Sequence, residues 1–138
     1  WSSDVCSSDL EERLGASLRG TYLRIEYCRD TDGFWLEPHL DLDVKRLTLQ
    51  IFLSEDESWG TDFFSDPEHF VKSVPAHFNS GYCFVPSATS WHGFLPRPIA
   101  GIRKSLIVNY VTDDWRSRHE LAFPAVPVGS HQSVTASS

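Results

Sequence analysis

A histidine and an aspartate separated by one residue, His39 and Asp41, form the first pair whose types and spacing suggest chemistry. They lie in the segment WLEPHLD, residues 35–41. A strand turns every second side chain to the same face, so the two side chains would point together. An imidazole and a carboxylate on one face are two ligands of a metal site, but they also fit an ordinary surface pair. A third ligand elsewhere in the chain has to decide between the two.

His92, in the strand-like segment SWHGF about 50 residues downstream, is the histidine best placed to be that third ligand. Jelly rolls bring strands that are distant in sequence side by side. Two imidazoles and one carboxylate on one side of a metal leave positions open for a co-substrate and O2, which suits non-haem Fe(II). The three residues are therefore a candidate metal site, although a bare pattern of this kind also arises by chance.

Arg103 and Ser105 lie two apart on the following strand, so they share a face. An arginine that faces the interior of a β-rich domain is costly unless a carboxylate pairs with it. Its guanidinium fork, with a hydroxyl beside it, is suited to hold a carboxylate through two hydrogen bonds. The alternative is an internal salt bridge with an acidic side chain of the same chain.

Short strands separated by turns are needed to position these side chains, and the sequence predicts them. Extended segments are indicated at 21–28, 34–42, 46–54, 61–64, 70–76, 81–87, 90–94 and 102–111. Residues 55–60 are expected to form an acidic loop, and residues 113–121 a helix capped by Asp113 or Asp114. So many short strands with almost no internal helix predict a mainly β sandwich, jelly roll or barrel.

Composition and charge exclude several function classes. The chain has 138 residues, enough for one domain, and a formal charge of −7, which argues against binding to nucleic acid. No apolar run approaches the ~18 residues of a membrane span. The three cysteines have no metal-binding spacing, and so small and odd a number fits a reducing compartment, so we expect a cytoplasmic protein.

The combination of H-x-D, a distant His and R-x-S resembles the 2-oxoglutarate and Fe(II)-dependent dioxygenases, over most of residues 20–121. The spacing looks closest to the prolyl-hydroxylase-like branch. The resemblance implies a double-stranded β-helix, a cupin-like jelly roll, and dependence on Fe(II), 2-oxoglutarate and O2. It also implies N-terminal helices against one sheet, and most of these are missing from this sequence.

The resemblance also assigns roles to individual residues. His39, Asp41 and His92 would bind iron, and Arg103 would pair with the distal carboxylate of 2-oxoglutarate. The residues that assist in binding the co-substrate differ more among relatives than the metal ligands do. Ser105 and Tyr27 would assist Arg103; Phe52 stands where some relatives have a second tyrosine, and Thr48 would replace part of its role.

The activity implied is hydroxylation of an unidentified substrate, either a peptide side chain or a small molecule, with release of succinate and CO2. Two alternatives stay open. A cupin-like metalloenzyme would use the same metal ligands without 2-oxoglutarate, and a non-catalytic jelly-roll binding module would use neither.

The ends of the chain call for separate treatment. Residues 1–10, WSSDVCSSDL, resemble a translated sequencing adapter from assembled environmental DNA, so we expect them to be non-native and the gene to be truncated. The dioxygenase domain is predicted over residues 11–123, followed by a loose tail over 124–138. Missing N-terminal helices would leave an apolar sheet face uncovered, formed by Leu47, Leu49, Ile51 and Leu53.

Overall fold

The structure is a computed structural model that describes residues 3–41 and 43–130. Within these ranges the regular structure consists of eight strands, one α-helix and one 3-10 turn. In chain order the elements are α1 (Ser3–Leu14), β1 (Tyr22–Asp30), β2 (Leu36–His39), β3 (Lys45–Phe52), β4 (Asp56–Asp66), β5 (His69–Ala76), β6 (Gly81–Phe84), β7 (Trp91–Phe94), β8 (Arg103–Val111) and the 3-10 turn (Arg118–Glu120).

The eight strands form two four-stranded antiparallel sheets, in the orders β1-β8-β3-β6 and β2-β7-β4-β5. The pairing is nested along the chain: β4 pairs with β5, β3 with β6, β2 with β7 and β1 with β8. Nested antiparallel pairs in two facing sheets are the arrangement of a jelly roll, also called a double-stranded β-helix. The predicted mainly β fold class is confirmed.

Strand alternation gives the first sheet a polar inner face and an apolar outer face. In β3, Thr48 and Gln50 are buried on the inner face, whereas Leu49 and Ile51 are only partly buried on the outer face. The inner face of β8 carries Arg103, Ser105 and Asn109, which are all buried. The polar side chains singled out in the sequence therefore point into the space between the sheets.

Two hydrophobic clusters stabilise this arrangement. The first fills one part of the space between the sheets and contains Phe52, Trp59, Ala76, Phe94 and Ile99. The second lies on the outer face of the first sheet and contains Ala16, Leu18, Leu47, Tyr110 and Val128. Full burial of a side chain as large as Phe52 contributes about 1.5–3 kcal/mol.

The apolar outer face predicted to be uncovered is covered in part. Leu47 is completely buried beneath the segment that follows α1. Farther along the same face, Ile25 and Tyr27 on β1 keep 51% and 53% of their surface exposed. The exposed apolar side chains of this face therefore lie on β1, whereas those of β3 are buried or partly buried.

Two local predictions are wrong. Residues 55–60 are not a loop, because β4 begins at Asp56 and pairs with β5. Residues 113–121 contain only the 3-10 turn at Arg118–Glu120. Leu121 forms a bridge with Arg24 of β1, and this contact holds the segment in an extended path instead of a helix.

The predicted loose tail is also wrong for residues 124–130. Val128 is buried, its amide donates to the Thr21 carbonyl, and its own carbonyl accepts from the Gly20 amide. Residues 131–138, Leu42 and residues 1 and 2 lie outside the described residues. The helix α1 includes residues 3–10, the stretch expected to be non-native.

A membrane-spanning helix would need both length and sustained apolarity. None of the helices in the described part of the chain has both.

Candidate metal centre

Pairing of β2 with β7 brings the three predicted metal ligands together. His39 and His92 are directly opposite in the antiparallel register, and Asp41 lies just beyond the end of β2. Gly93 permits this approach, since a Cβ there would meet the Leu36 carbonyl oxygen at 2.6 Å. One ligand atom from each of the three side chains lies within 4.8 Å of the other two.

Backbone carbonyl groups fix the orientation of both imidazoles. Nδ1 of His39 donates to the Glu37 carbonyl at 3.0 Å, and Nδ1 of His92 donates to the Ser90 carbonyl at 2.9 Å. Because a carbonyl only accepts, each Nδ1 carries the hydrogen, and each Nε2 faces the Asp41 carboxylate. In the neutral imidazole Nε2 then has the lone pair that a metal takes, as in histidine ligands, whereas in the protonated imidazole Nε2 donates to Asp41 instead.

The electrostatics of the group favour an ionised carboxylate. Burial alone would oppose ionisation of Asp41, but hydrogen bonds from His39 and His92 and the charge of Lys45 hold its pKa far below the usual range. The hydrogen bond to Asp41 raises the pKa of His39. His39 Nε2 lies 3.6 Å from Oδ1 of Asp41, and His92 Nε2 lies 3.4 Å from Oδ2.

A chain of polar contacts holds the Asp41 carboxylate in place. Lys45 Nζ donates to Oδ1 at 3.0 Å, and the Thr48 hydroxyl donates to Oδ2 at 3.1 Å. Thr48 Oγ1 in turn accepts from the Asn109 amide at 3.1 Å, and Arg24 donates to the Asn109 carbonyl oxygen at 3.4 Å. Thr48, predicted to assist the co-substrate, lines the cavity, but its hydroxyl donates its hydrogen to Asp41.

The three metal-ligand candidates line a cavity of about 300 Å³ between the sheets. This volume is at the lower end of the range for small-molecule sites. Its remaining lining consists of Arg24, Glu26, Cys28, Asp30, Phe34, Leu36, Lys45, Thr48, Gln50, Thr61, Tyr82, Gly93, Phe94, Arg103, Ile107 and Asn109. The candidate metal ligands and Arg103 thus share one cavity.

Arg103 is buried and held from several sides. Its Nε donates to the Trp59 carbonyl at 2.6 Å, Nη2 to the Gly60 carbonyl at 3.4 Å, and Nη1 to the Asp30 carboxylate at 2.5 Å. The guanidinium also lies over the Phe94 ring, 4.6 Å from its centroid. The structure therefore contains the internal salt bridge weighed as an alternative, and it leaves further N–H donors of the guanidinium for a ligand.

The two residues predicted to assist Arg103 have different positions. Ser105 is fully buried on the same face as Arg103, and its hydroxyl oxygen accepts from the Gln50 amide at 2.9 Å. Tyr27 is not brought to the site. It pairs with Leu106 on the outer face of the sheet, while its neighbours Cys28 and Glu26 line the cavity.

Most of the cavity lining was not indicated by the sequence, and Gln50, Thr61 and Tyr82 are examples. Gln50 shares the inner face of β3 with Thr48, so strand alternation was a signal for it. Tyr82 pairs with Gln50 across β3 and β6, and only this register places its hydroxyl in the cavity. Its ring lies 6.1 Å from that of Phe52.

A Thr48→Val substitution tests whether Thr48 serves the carboxylate rather than a co-substrate. The change keeps the shape and removes the hydroxyl that donates to Asp41. We expect metal affinity to fall roughly 10- to 100-fold, as for other outer-shell partners of metal ligands. Calorimetric titration with Zn(II) measures this, with the exposed Thr89→Val as the matched control. Unchanged metal affinity together with weaker 2-oxoglutarate binding would instead support the sequence-based role.

Comparison with known proteins gives a match at the level of structure. No protein-family model matches the chain, and neither does any curated protein. A crystal structure of a prolyl-4-hydroxylase from Pseudomonas putida is similar, with a TM-score of 0.51 and 20% sequence identity. The similarity covers 79% of this chain and 62% of that one, so this chain spans less than two thirds of the hydroxylase. Similarity at this identity shows a shared jelly-roll fold.

Proposed function

We propose that this protein is an Fe(II)- and 2-oxoglutarate-dependent dioxygenase. It would hydroxylate a peptide side chain or a small molecule and release succinate and CO2. One observation carries the proposal: His39, Asp41 and His92 meet in a cavity that is also lined by the buried Arg103. The solved structure with the same fold is that of a prolyl-4-hydroxylase, which supports the same class of chemistry.

The donor set fits Fe(II). Two imidazole nitrogens and one carboxylate oxygen are the donor set that suits non-haem Fe(II), and His39, Asp41 and His92, which would hold the metal, all line the cavity. When bound, Fe(II) with 2-oxoglutarate and O2 supplies oxidising power for a C–H bond, and 2-oxoglutarate is decarboxylated to succinate. The carbonyls of Glu37 and Ser90 keep both imidazoles in the orientation that such a metal requires.

The protein's own residues position the reactants and exclude water. Arg103 would hold the distal carboxylate through the donors that Asp30, Trp59 and Gly60 do not occupy. Phe84 packs against the His92 ring, with centroids 4.8 Å apart, and gives the metal group an apolar neighbour. An apolar neighbour strengthens the electrostatic interactions of the site, because it removes competing water.

A second candidate is a cupin-like metalloenzyme that does not use 2-oxoglutarate. The observation that favours it is the Asp30–Arg103 ion pair, since Asp30 already offsets the arginine charge that would attract the co-substrate. The same metal ligands would then serve another reaction. A dicarboxylate must either share Arg103 with Asp30 or displace it.

Succinate formation separates the two functions. The protein with Fe(II), ascorbate, O2 and 2-oxoglutarate is expected to release succinate slowly alone, and faster when a mixture of peptides and metabolites contains a substrate. His39→Ala is expected to release no succinate, and His69→Ala is its matched control, because His69 is an exposed histidine paired with Asp66 outside the cavity. Metal binding without any succinate, alone or with such mixtures, would favour the second candidate.

A further inference from the structure

The Phe94 ring contacts two guanidinium groups, one inside the cavity and one outside it. Phe94 is the last residue of β7, lines the cavity and is 2% exposed. The guanidinium carbon of Arg103 lies 4.6 Å from the ring centroid, and that of Arg97 lies 4.1 Å from it. A cation this close to the face of an aromatic ring is attracted to it. Arg97 is not one of the cavity-lining residues, so its contact with Phe94 links it to the site.

A completely buried carboxylate holds Arg97 in this position. Asp62 on β4 has no exposed surface, and it accepts from Arg97 Nη2 at 2.6 Å. It also accepts from the Leu95 amide at 2.8 Å and from the Ser73 hydroxyl. Hydrogen bonds between two ionised groups are among the stronger ones in proteins. The ion pair therefore keeps the Arg97 guanidinium against the ring.

The loop that carries Arg97 joins β7 to β8, and its backbone is fastened at two points. The Leu95 amide donates to Asp62, and the Ile99 amide donates to Asp32 at 3.0 Å. Neither contact uses the Arg97 side chain. A substitution of Arg97 is therefore expected to leave the path of the loop in place and to change mainly what the guanidinium contacts.

The orientation of the Arg103 guanidinium depends on contacts at its edge and at its face. Its edge donates to the carbonyls of Trp59 and Gly60 and to the Asp30 carboxylate, and Phe94 lies against its face. A dicarboxylate that displaces Asp30 would remove one of the edge contacts. The two carbonyls and the ring would then orient the guanidinium plane. Binding of a carboxylate through two parallel hydrogen bonds depends on that plane.

We propose that Arg97 is a positioning residue for co-substrate binding. By holding the Phe94 ring against Arg103, it fixes the plane of the guanidinium that receives the dicarboxylate. This inference rests on the proposed function and goes beyond it, since it assigns a role in affinity to a side chain outside the cavity.

A double-mutant cycle on the Zn(II)-loaded protein, which has no redox activity, measures whether Arg97 acts through the ring. Arg97→Gln is expected to weaken 2-oxoglutarate binding roughly 3- to 30-fold, the equivalent of one cation–π contact, and to leave Zn(II) affinity unchanged. In a Phe94→Leu background the same substitution should have almost no effect, because the ring is absent. Arg116→Gln, at an exposed arginine, is the matched control and should change neither affinity. Calorimetric titration measures both.

Arg97→Lys guards against a variant that does not fold. Lysine keeps a cation for the buried Asp62 but lacks the planar guanidinium that lies over the ring. It is also expected to weaken 2-oxoglutarate binding, by several-fold. In the ligand-free protein labelled with 15N-arginine, the Nε–H resonance of Arg103 should shift in Arg97→Lys and stay in place in Arg116→Gln.

The outcomes distinguish this inference from the proposed function. If the wild type does not bind 2-oxoglutarate, both are overturned. If the wild type binds it, wild-type affinity in a folded Arg97→Lys protein overturns only the role of Arg97. The same holds for an equal loss from Arg97→Gln with and without the Phe94 ring, for a parallel loss of Zn(II) affinity, and for an unshifted Arg103 resonance.

Discussion

Replacing Asp41 by Ala is expected to abolish specific metal binding in the cavity and, with it, all turnover of 2-oxoglutarate. Asp41 supplies the single carboxylate among the three candidate ligands, and it is the group that both imidazoles face. Loss of a ligand should cost more than the roughly 10- to 100-fold in affinity that loss of an outer-shell partner costs. Anaerobic titration with Fe(II), followed by a succinate assay, measures both effects.

The control for this variant is Asp66→Ala, which removes an aspartate that is also paired with a histidine but lies on the surface. It should bind metal as the wild type does. Circular dichroism must show that the Asp41 variant is folded, because the substitution also leaves Lys45 and Thr48 without their acceptor. Wild-type metal affinity in a folded Asp41→Ala protein would contradict the assignment of the metal centre.

Replacing Arg103 by Ala is expected to weaken 2-oxoglutarate binding by more than about 100-fold, since the guanidinium is a charged donor in a buried site. Metal affinity should change little, because Arg103 contacts none of the three ligands. The substitution alone would leave the partly buried Asp30 carboxylate without its Arg103 partner, which destabilises the fold. The cleaner comparison is therefore Asp30→Asn against Asp30→Asn/Arg103→Ala, titrated with 2-oxoglutarate in the Zn(II)-loaded state.

Lys104→Ala provides the matched control for the loss of a cation. It is the next residue on β8 and is exposed, whereas Arg103 is buried in the cavity. This control should bind 2-oxoglutarate normally. Equal affinities for 2-oxoglutarate in the two Asp30→Asn backgrounds would show that Arg103 is only a structural ion-pair partner, and the second candidate function would then be favoured.

The sequence was most informative where chemistry and strand alternation agree. His39 and Asp41 lie two apart at the end of β2, and Arg103 and Ser105 lie two apart on β8, so a shared face followed from spacing alone. The convergence of His92 with the first pair depends on the nested pairing of β2 with β7. That pairing was predictable only through the jelly-roll fold.

Tyr27, which the resemblance assigns to the site, lies on the other face of its strand. The apolar set Leu23, Ile25 and Tyr27 does share one face of β1, as the alternation indicates. That face is the outer one, because the cavity of this fold is polar and takes the opposite face, with Arg24 and Glu26. An apolar stripe marks the core of most sheets, so the sequence alone points to the wrong side here.

Other parts of the site depend on contacts between distant residues. The role of Thr48 follows from its contact with the Asp41 carboxylate, and the presence of Tyr82 in the cavity follows from its register against Gln50. Neither the contact nor the register can be read from the sequence. The helix expected at 113–121 does not form, because a contact with a distant residue, the bridge between Leu121 and Arg24, outweighs a moderate local helix preference.

The most direct test of the central claim is an anaerobic absorption titration of the wild-type protein with Fe(II) and 2-oxoglutarate. It requires no knowledge of the substrate. We predict a visible charge-transfer band that appears only when both are present, that Asp41→Ala lacks, and that Tyr27→Phe retains. An absence of any band when the protein is saturated with Fe(II) and excess 2-oxoglutarate would contradict the assignment of this cavity to 2-oxoglutarate-dependent chemistry.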